Sequence, residues 1–204
     1  MFSTIIIKVI LLYIYMDLSN GDLILVKESH NFLSRLKNRE LDYIHIGIIV
    51  RDPSHFFPSL KGLFVISGYK TYNNSIAVFN IELIPIEDFL KKFSVHEIII
   101  RKLKTHITLS QSKLFKNYKT IYDYPLGIIP MEWYPYLDRK PVKRKANRSW
   151  SATVVGYLFT KCGIINNLYY TKLLPKDFSQ FSRIIKKISE IFDDELNIRY
   201  LYLK

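Results

Sequence analysis

Asp42 to Val50, Asp-Tyr-Ile-His-Ile-Gly-Ile-Ile-Val, constrains the fold more than any other run in this chain. It is rich in β-branched residues, bounded by charge, and too short for a buried helix of ordinary length. It therefore reads as a buried strand, and it carries a single histidine, His45. Other strands follow from the same signals. Gly21-Asp22 is a turn leading into Leu23 to Val26, and Leu63 to Ser67 and Ser75 to Ile84 form two strands separated by Gly68 and the Asn73-Asn74 turn. Val95 to Leu103 and Ile198 to Leu203 complete the set, the last closing the sheet.

Helix signals are concentrated later. Ser29 caps a short segment to about Lys37, and Pro85 opens a helix over Ile86 to Phe93 with Glu87 and Asp88 in its first turn. Ser110 to about Thr120 is helical, Tyr122 to Leu137 is an aromatic loop punctuated by proline, and Trp150 to Lys161 has helix-period apolar residues with a stop at Gly163. Leu174-Pro175-Lys176-Asp177-Phe178 turns into a last helix, Phe178 to Ile191. Strands first and helices later predict one α+β domain over residues 19–204. The 204 residues, 49% apolar and 15% aromatic, suffice for one real core and argue against disorder.

Residues 1–18 stand apart. Ile5 to Met16 is apolar except for Lys8, about a dozen residues against the roughly 18–20 that a membrane span needs. A core or capping helix and a membrane-associated or signal-like segment both fit, although a basic leader and a cleavage site are not evident. The single cysteine, Cys162, excludes an internal disulfide and favours a reducing compartment. Cys162 sits near a helix C-terminus, where the dipole opposes a thiolate, and reads as a packed small residue.

Net charge is +12, which favours an anionic partner. The densest basic run, Arg139, Lys140, Lys143, Arg144, Lys145 and Arg148, holds no acidic residue. It is either a solvated loop or an anion-binding lip for phospholipid, nucleic acid or an acidic chain. Trp133, Tyr134, Tyr136 and Trp150 flank it and offer either stacking surfaces or ordinary packing. No zinc-ligand spacing, phosphate-binding glycine loop or EF-hand pattern occurs, so no cofactor is implied.

By residue type, His45 in an apolar strand is ordinarily a core histidine, and Ser151 at a helix start is ordinarily a cap. Their order carries more. Gly21 to Leu25, His45-Ile46-Gly47-Ile48-Ile49-Val50, Arg51-Asp52-Pro53, Leu60 to Val65 and Ile84 to Leu90 lead on to Ser151 to Tyr157 and Leu174 to Ser179. Across about residues 21–180 this succession resembles the circularly permuted NlpC-like branch of the papain fold, whose members include bacterial YiiX-like proteins and relatives from poxviruses and other large DNA viruses. The resemblance implies an antiparallel sheet or half-barrel packed against the helix that bears the nucleophile. It implies amide, ester or thioester chemistry on a peptide, cell-wall or lipid acyl substrate, with His45 as base. It places Ser151 where the family has its nucleophilic cysteine, and Ile66, or by a one-residue slip Ser67, where the family has a glutamate. A viral protein of the host cytoplasm or virion fits the same resemblance.

Both departures weaken catalysis. A hydroxyl is far less acidic than a thiol and needs a strong general base, and neither Ile66 nor Ser67 orients an imidazolium as a carboxylate does. The expectation is a hydrolase-like chain with a degenerate site. A non-catalytic binding or virion structural protein, and a membrane-surface module anchored by the N-terminal segment, are the alternatives. Oligomeric state is not legible in the sequence.

Overall fold

The structure is a computed structural model, and it describes residues 17–28, 43–73, 76–122, 150–166, 170, 173–180, 182, 185 and 188–198. The fold is α+β. Six antiparallel strands among these residues form one sheet in the order β4-β3-β2-β1-β5-β6. They are β1 Leu23–Lys27, β2 Tyr43–Arg51, β3 Leu63–Asn73, β4 Ile76–Pro85, β5 Glu97–Arg101 and β6 Leu196–Asn197. Four helices among the described residues accompany them: α1 Ile86–Lys92, α2 Gln111–Tyr122, α3 Trp150–Cys162 and α4 Ile188–Ile191. The N-terminal segment 1–16, the capped segment after Ser29, the loop to Leu137 and the basic run 139–148 lie outside the described residues. Among the described residues, no helix is long and apolar enough to cross a membrane.

Strand β1 sits between β2 and β5 and is fully enclosed: Leu23, Ile24, Leu25 and Val26 are all 0% exposed. A continuous apolar run is what burial on both faces demands, because successive side chains leave a strand in opposite directions. The two faces build separate cores. Leu23, Leu25, Ile46, Ile48, Val50 and Ile66 meet helices α2 and α3 through residues such as Leu114, Val154 and Leu158. Ile24, Val26, Ile49, Val65, Ile98 and Ile100 meet α1 through Ile86 and Phe89.

Three expectations need correction. The first strand of the 63–84 hairpin does not stop at Gly68: β3 runs through it to Asn73, paired with β4 down to Asn73↔Ile76. Gly68 is a packing residue, because a Cβ there would lie 2.7 Å from Trp150 Cδ1 and 2.8 Å from Val154 Cγ2. A helix over Phe178 to Ile191 is also absent. After a 3₁₀ turn, Pro175–Phe178, the described residues Ser179, Gln180, Ser182 and Ile185 are not helical, and Ile188–Ile191 is a separate short helix. Polar side chains compete for the backbone there, with Glu195 Oε1 accepting from Gln180 N at 3.0 Å and Ser182 Oγ from Ile185 N at 3.3 Å. Finally, the closing strand begins earlier than Ile198, at Leu196, where Leu196↔Ile100 pairs it to β5. The remaining described elements match within a few residues, and Pro85 precedes α1 while still paired to Phe64.

Two buried charged side chains fasten the sheet's ends. Asp22 is 0% exposed, its Oδ2 accepting from Ser19 N at 2.7 Å and its Oδ1 from Leu103 N at 2.8 Å. It thereby ties the turn before β1 to the chain leaving β5. Arg101, 1% exposed, donates from Nη1 to Phe178 O at 2.7 Å and from Nε to Asp193 O at 3.0 Å. A buried guanidinium satisfied by backbone carbonyls fixes the C-terminal turns against β5, and burial pulls its pKa below the ordinary arginine value.

Burial raises the Asp22 carboxyl to about 6, against the lowering effect of its two backbone donors. A carboxyl raised in the folded state stabilises fully below its unfolded value near 3.8, and that contribution is lost as pH rises through about 6. Asp22→Asn removes this titration and leaves one N–H without its acceptor. Urea unfolding is expected to show the variant less stable by about 1–3 kcal/mol at pH 4, with the difference from the parent narrowing as pH rises through about 6.

Candidate functional site

Near its start, β2 places His45 on the α1 face of the sheet. Alternation sends Ile46 and Ile48 to the α3 face and His45, Gly47 and Ile49 to the other. Gly47 confirms the assignment, since a Cβ at that position would meet Val65 Cγ1 and Ile24 Cγ2 of the α1-side core. The imidazole stacks on Tyr69 at 4.7 Å between centroids and lies 4.8 Å from Phe93 and 5.8 Å from Phe89. Three aromatic rings thus enclose it.

Ser67 is its polar partner. Ser67 Oγ is 2.8 Å from His45 Nε2 and donates to Ile46 O at 2.6 Å. A hydroxyl has one proton, and the Ile46 carbonyl takes it. His45 therefore carries its proton on Nε2 and donates to Ser67, leaving the lone pair on Nδ1. Burial, with Lys92 adding like-charge repulsion, lowers the His45 pKa from 6.5 to about 3. Lys92 itself sits 3.2 Å from the Tyr69 ring centroid and 3.7 Å from Glu82. Burial first, then the Glu82 charge, holds the Tyr69 phenol well above its ordinary pKa. The Tyr69 hydroxyl is buried without a hydrogen-bond partner among the described residues.

Ser151 lies elsewhere. It is 2% exposed, in the first turn of α3, and the residues around it, Ala152, Val154 and Val155, pack on the opposite face of the sheet from His45. The hydrogen bond that His45 makes goes to Ser67, not to Ser151. Ile66 is also on the α3 face, fully buried in the apolar core, so of the two candidates for the third polar position Ser67 is the one that touches His45. Trp150 is half-buried, covers Gly68 and donates from Nε1 to Asn80 O at 2.9 Å. Strand β3 pairs antiparallel with β2, which sets Ser67 near His45. What sequence order missed was which side chains share a face, although the parity of positions 45, 67 and 69 was a usable signal.

Cys162 is half-buried beside the α2–α3 core, and burial pushes its thiol up to about 11, the direction opposite to an activated nucleophile. Among the described residues, no group of three or more His, Cys, Asp or Glu side chains is placed to hold a metal ion. A separate cleft of about 640 Å³ opens between Ile81–Ile84 of β4, the 56–60 turn and α2. The basic residues Arg139, Lys140, Lys143, Arg144, Lys145 and Arg148 fall outside the described residues. No protein-family model and no curated protein matches this chain.

His45 and Ser67 make separable predictions. Ser67→Ala strands the imidazole N–H and is expected to cost about 1–3 kcal/mol in urea unfolding. His45→Phe keeps the Ser67–Ile46 bond and the aromatic packing, and is expected to change stability by less than about 1 kcal/mol at neutral pH. A histidine depressed in the folded state stabilises fully above its unfolded value of 6.5, and this is lost as pH falls towards 3. The His45→Phe protein should therefore lose less stability than the parent as pH is lowered from 6.5 towards about 4.

Proposed function

We propose that this chain is a non-hydrolytic binding protein built on a degenerate version of the permuted papain-like plan. The plan itself is supported by element order: the histidine strand, a hairpin, the helix opened by Pro85, and the late helix that begins beside Ser151. The reading of lost hydrolysis rests on one observation. His45 is fastened to Ser67 and walled by Tyr69, Phe89 and Phe93, on the face of the sheet away from Ser151.

A general base must lie within hydrogen-bond reach of the proton it removes and must bear the resulting charge. Ser151 offers His45 no such reach, and the aromatic enclosure that lowers the His45 pKa also disfavours an imidazolium. Replacing the hydroxyl by a thiol does not repair the geometry. A thiolate–imidazolium pair needs the two groups in contact, and the sheet with its packed side chains intervenes. The histidine instead packs half-buried beside Phe89 and Phe93, at the contact of α1 with the sheet.

Labelling with a fluorophosphonate and with an acylating probe tests the proposal in the parent, Ser151→Cys and His45→Ala proteins. No probe is expected to mark residue 151 in the parent. In the Ser151→Cys protein, iodoacetamide should react with the introduced thiol no faster than with an ordinary one. Labelling at residue 151 that disappears in His45→Ala would defeat the reading.

A further inference from the structure

Strand β4 is the edge of the sheet, and the cleft of about 640 Å³ runs along it. We propose that this cleft binds an extended acidic–apolar peptide segment of a partner protein by adding it as a strand to β4. An edge strand turns the N–H and C=O groups of every second residue away from its neighbour. In Ile81–Ile84 these groups face the cleft side, and no described strand pairs with them there. Natural edges are commonly blunted by lysine, proline or a covering element, and the stretch Ile81-Glu82-Leu83-Ile84 is mostly apolar. The four residues span about 13 Å, the length of a short extended segment.

The walls select what that segment carries. Phe56, Leu60 and Phe115 line the cleft opposite β4, and Phe57 at the rim is 37% exposed, so alternate side chains of an added strand meet apolar surface. The polar rim is cationic. Lys119 lines the cleft, and Lys116 is exposed on α2 one turn before it. Glu82, the cleft's acidic residue, is paired with Lys92 at 3.7 Å and so offsets little of that charge. Main-chain groups recognise an extended backbone, the aromatic wall recognises alternating apolar residues, and Lys119 recognises a carboxylate.

The cleft is lined by none of His45, Ser67, Tyr69, Phe89, Phe93 or Ser151, so its failure and the failure of the non-hydrolytic reading are separate results. Fluorescein-labelled hexapeptides alternating Leu, Val or Phe with Thr and ending in Glu serve as probes of the full chain, read by fluorescence anisotropy. Micromolar binding is expected for part of this panel. N-methylation of alternate residues in one register should weaken it at least about tenfold, while the other register is tolerated, because only every second amide bonds to β4. Lys119→Glu and Phe57→Glu, both at exposed positions and checked for unchanged unfolding, should each weaken binding several-fold. A Glu→Lys peptide should recover affinity for Lys119→Glu. The proposal is overturned by an absence of millimolar or tighter binding across the panel, or by equal tolerance of both N-methyl registers. Displacement by decanoate without register dependence overturns it in favour of an acyl chain. A dimer in sedimentation that Phe57→Glu dissociates overturns it in favour of a second copy of this chain.

Discussion

A strand sends consecutive side chains to opposite sides, and the structure rests on that constraint at β2. Ile46, Ile48 and Val50 serve the core under α3, while His45, Gly47 and Ile49 serve the core under α1. A one-residue slip would exchange the two sets and bury the imidazole against α3. Pairing on both sides of β1, with Leu23↔Ile48 on one flank and Leu23↔Arg101 on the other, fixes the register that prevents it. Each fully buried Ile or Leu is worth about 1.5–3 kcal/mol, so the register is strongly held.

The polar groups enclosed by this sheet are engaged in shape rather than turnover. Asp22 ties the turn before β1 to the exit of β5, Arg101 holds the C-terminal turns by their carbonyls, and Ser67 seats His45. Their pH effects run in opposite directions. Asp22 loses stabilising effect as pH rises towards about 6, and His45 loses it as pH falls from 6.5 towards about 3. The net acid response from these two groups is the difference of two burial costs.

Much of the fold was legible. The strands at residues 23, 43 and 63, the helix after Pro85 and the stop at Gly163 all follow from periodicity, proline placement and a positive-φ glycine. Gly68 misled, because a glycine that makes room for Trp150 has the same local signature as one that ends a strand. The last helix misled because Gln180 and Ser182 engage in hydrogen bonds outside a helix, a competition that apolar spacing does not register.

By itself the sequence determined an α+β chain with a histidine on its most apolar strand and a serine opening a late helix. It left Ile66 and Ser67 as alternatives for the polar place on the strand that follows. Only the tertiary structure decided that the histidine and the late-helix serine belong to different faces of one sheet. Strand parity is local, but which helix covers which face depends on how α1 and α3 pack, and that contact lies outside any window of sequence.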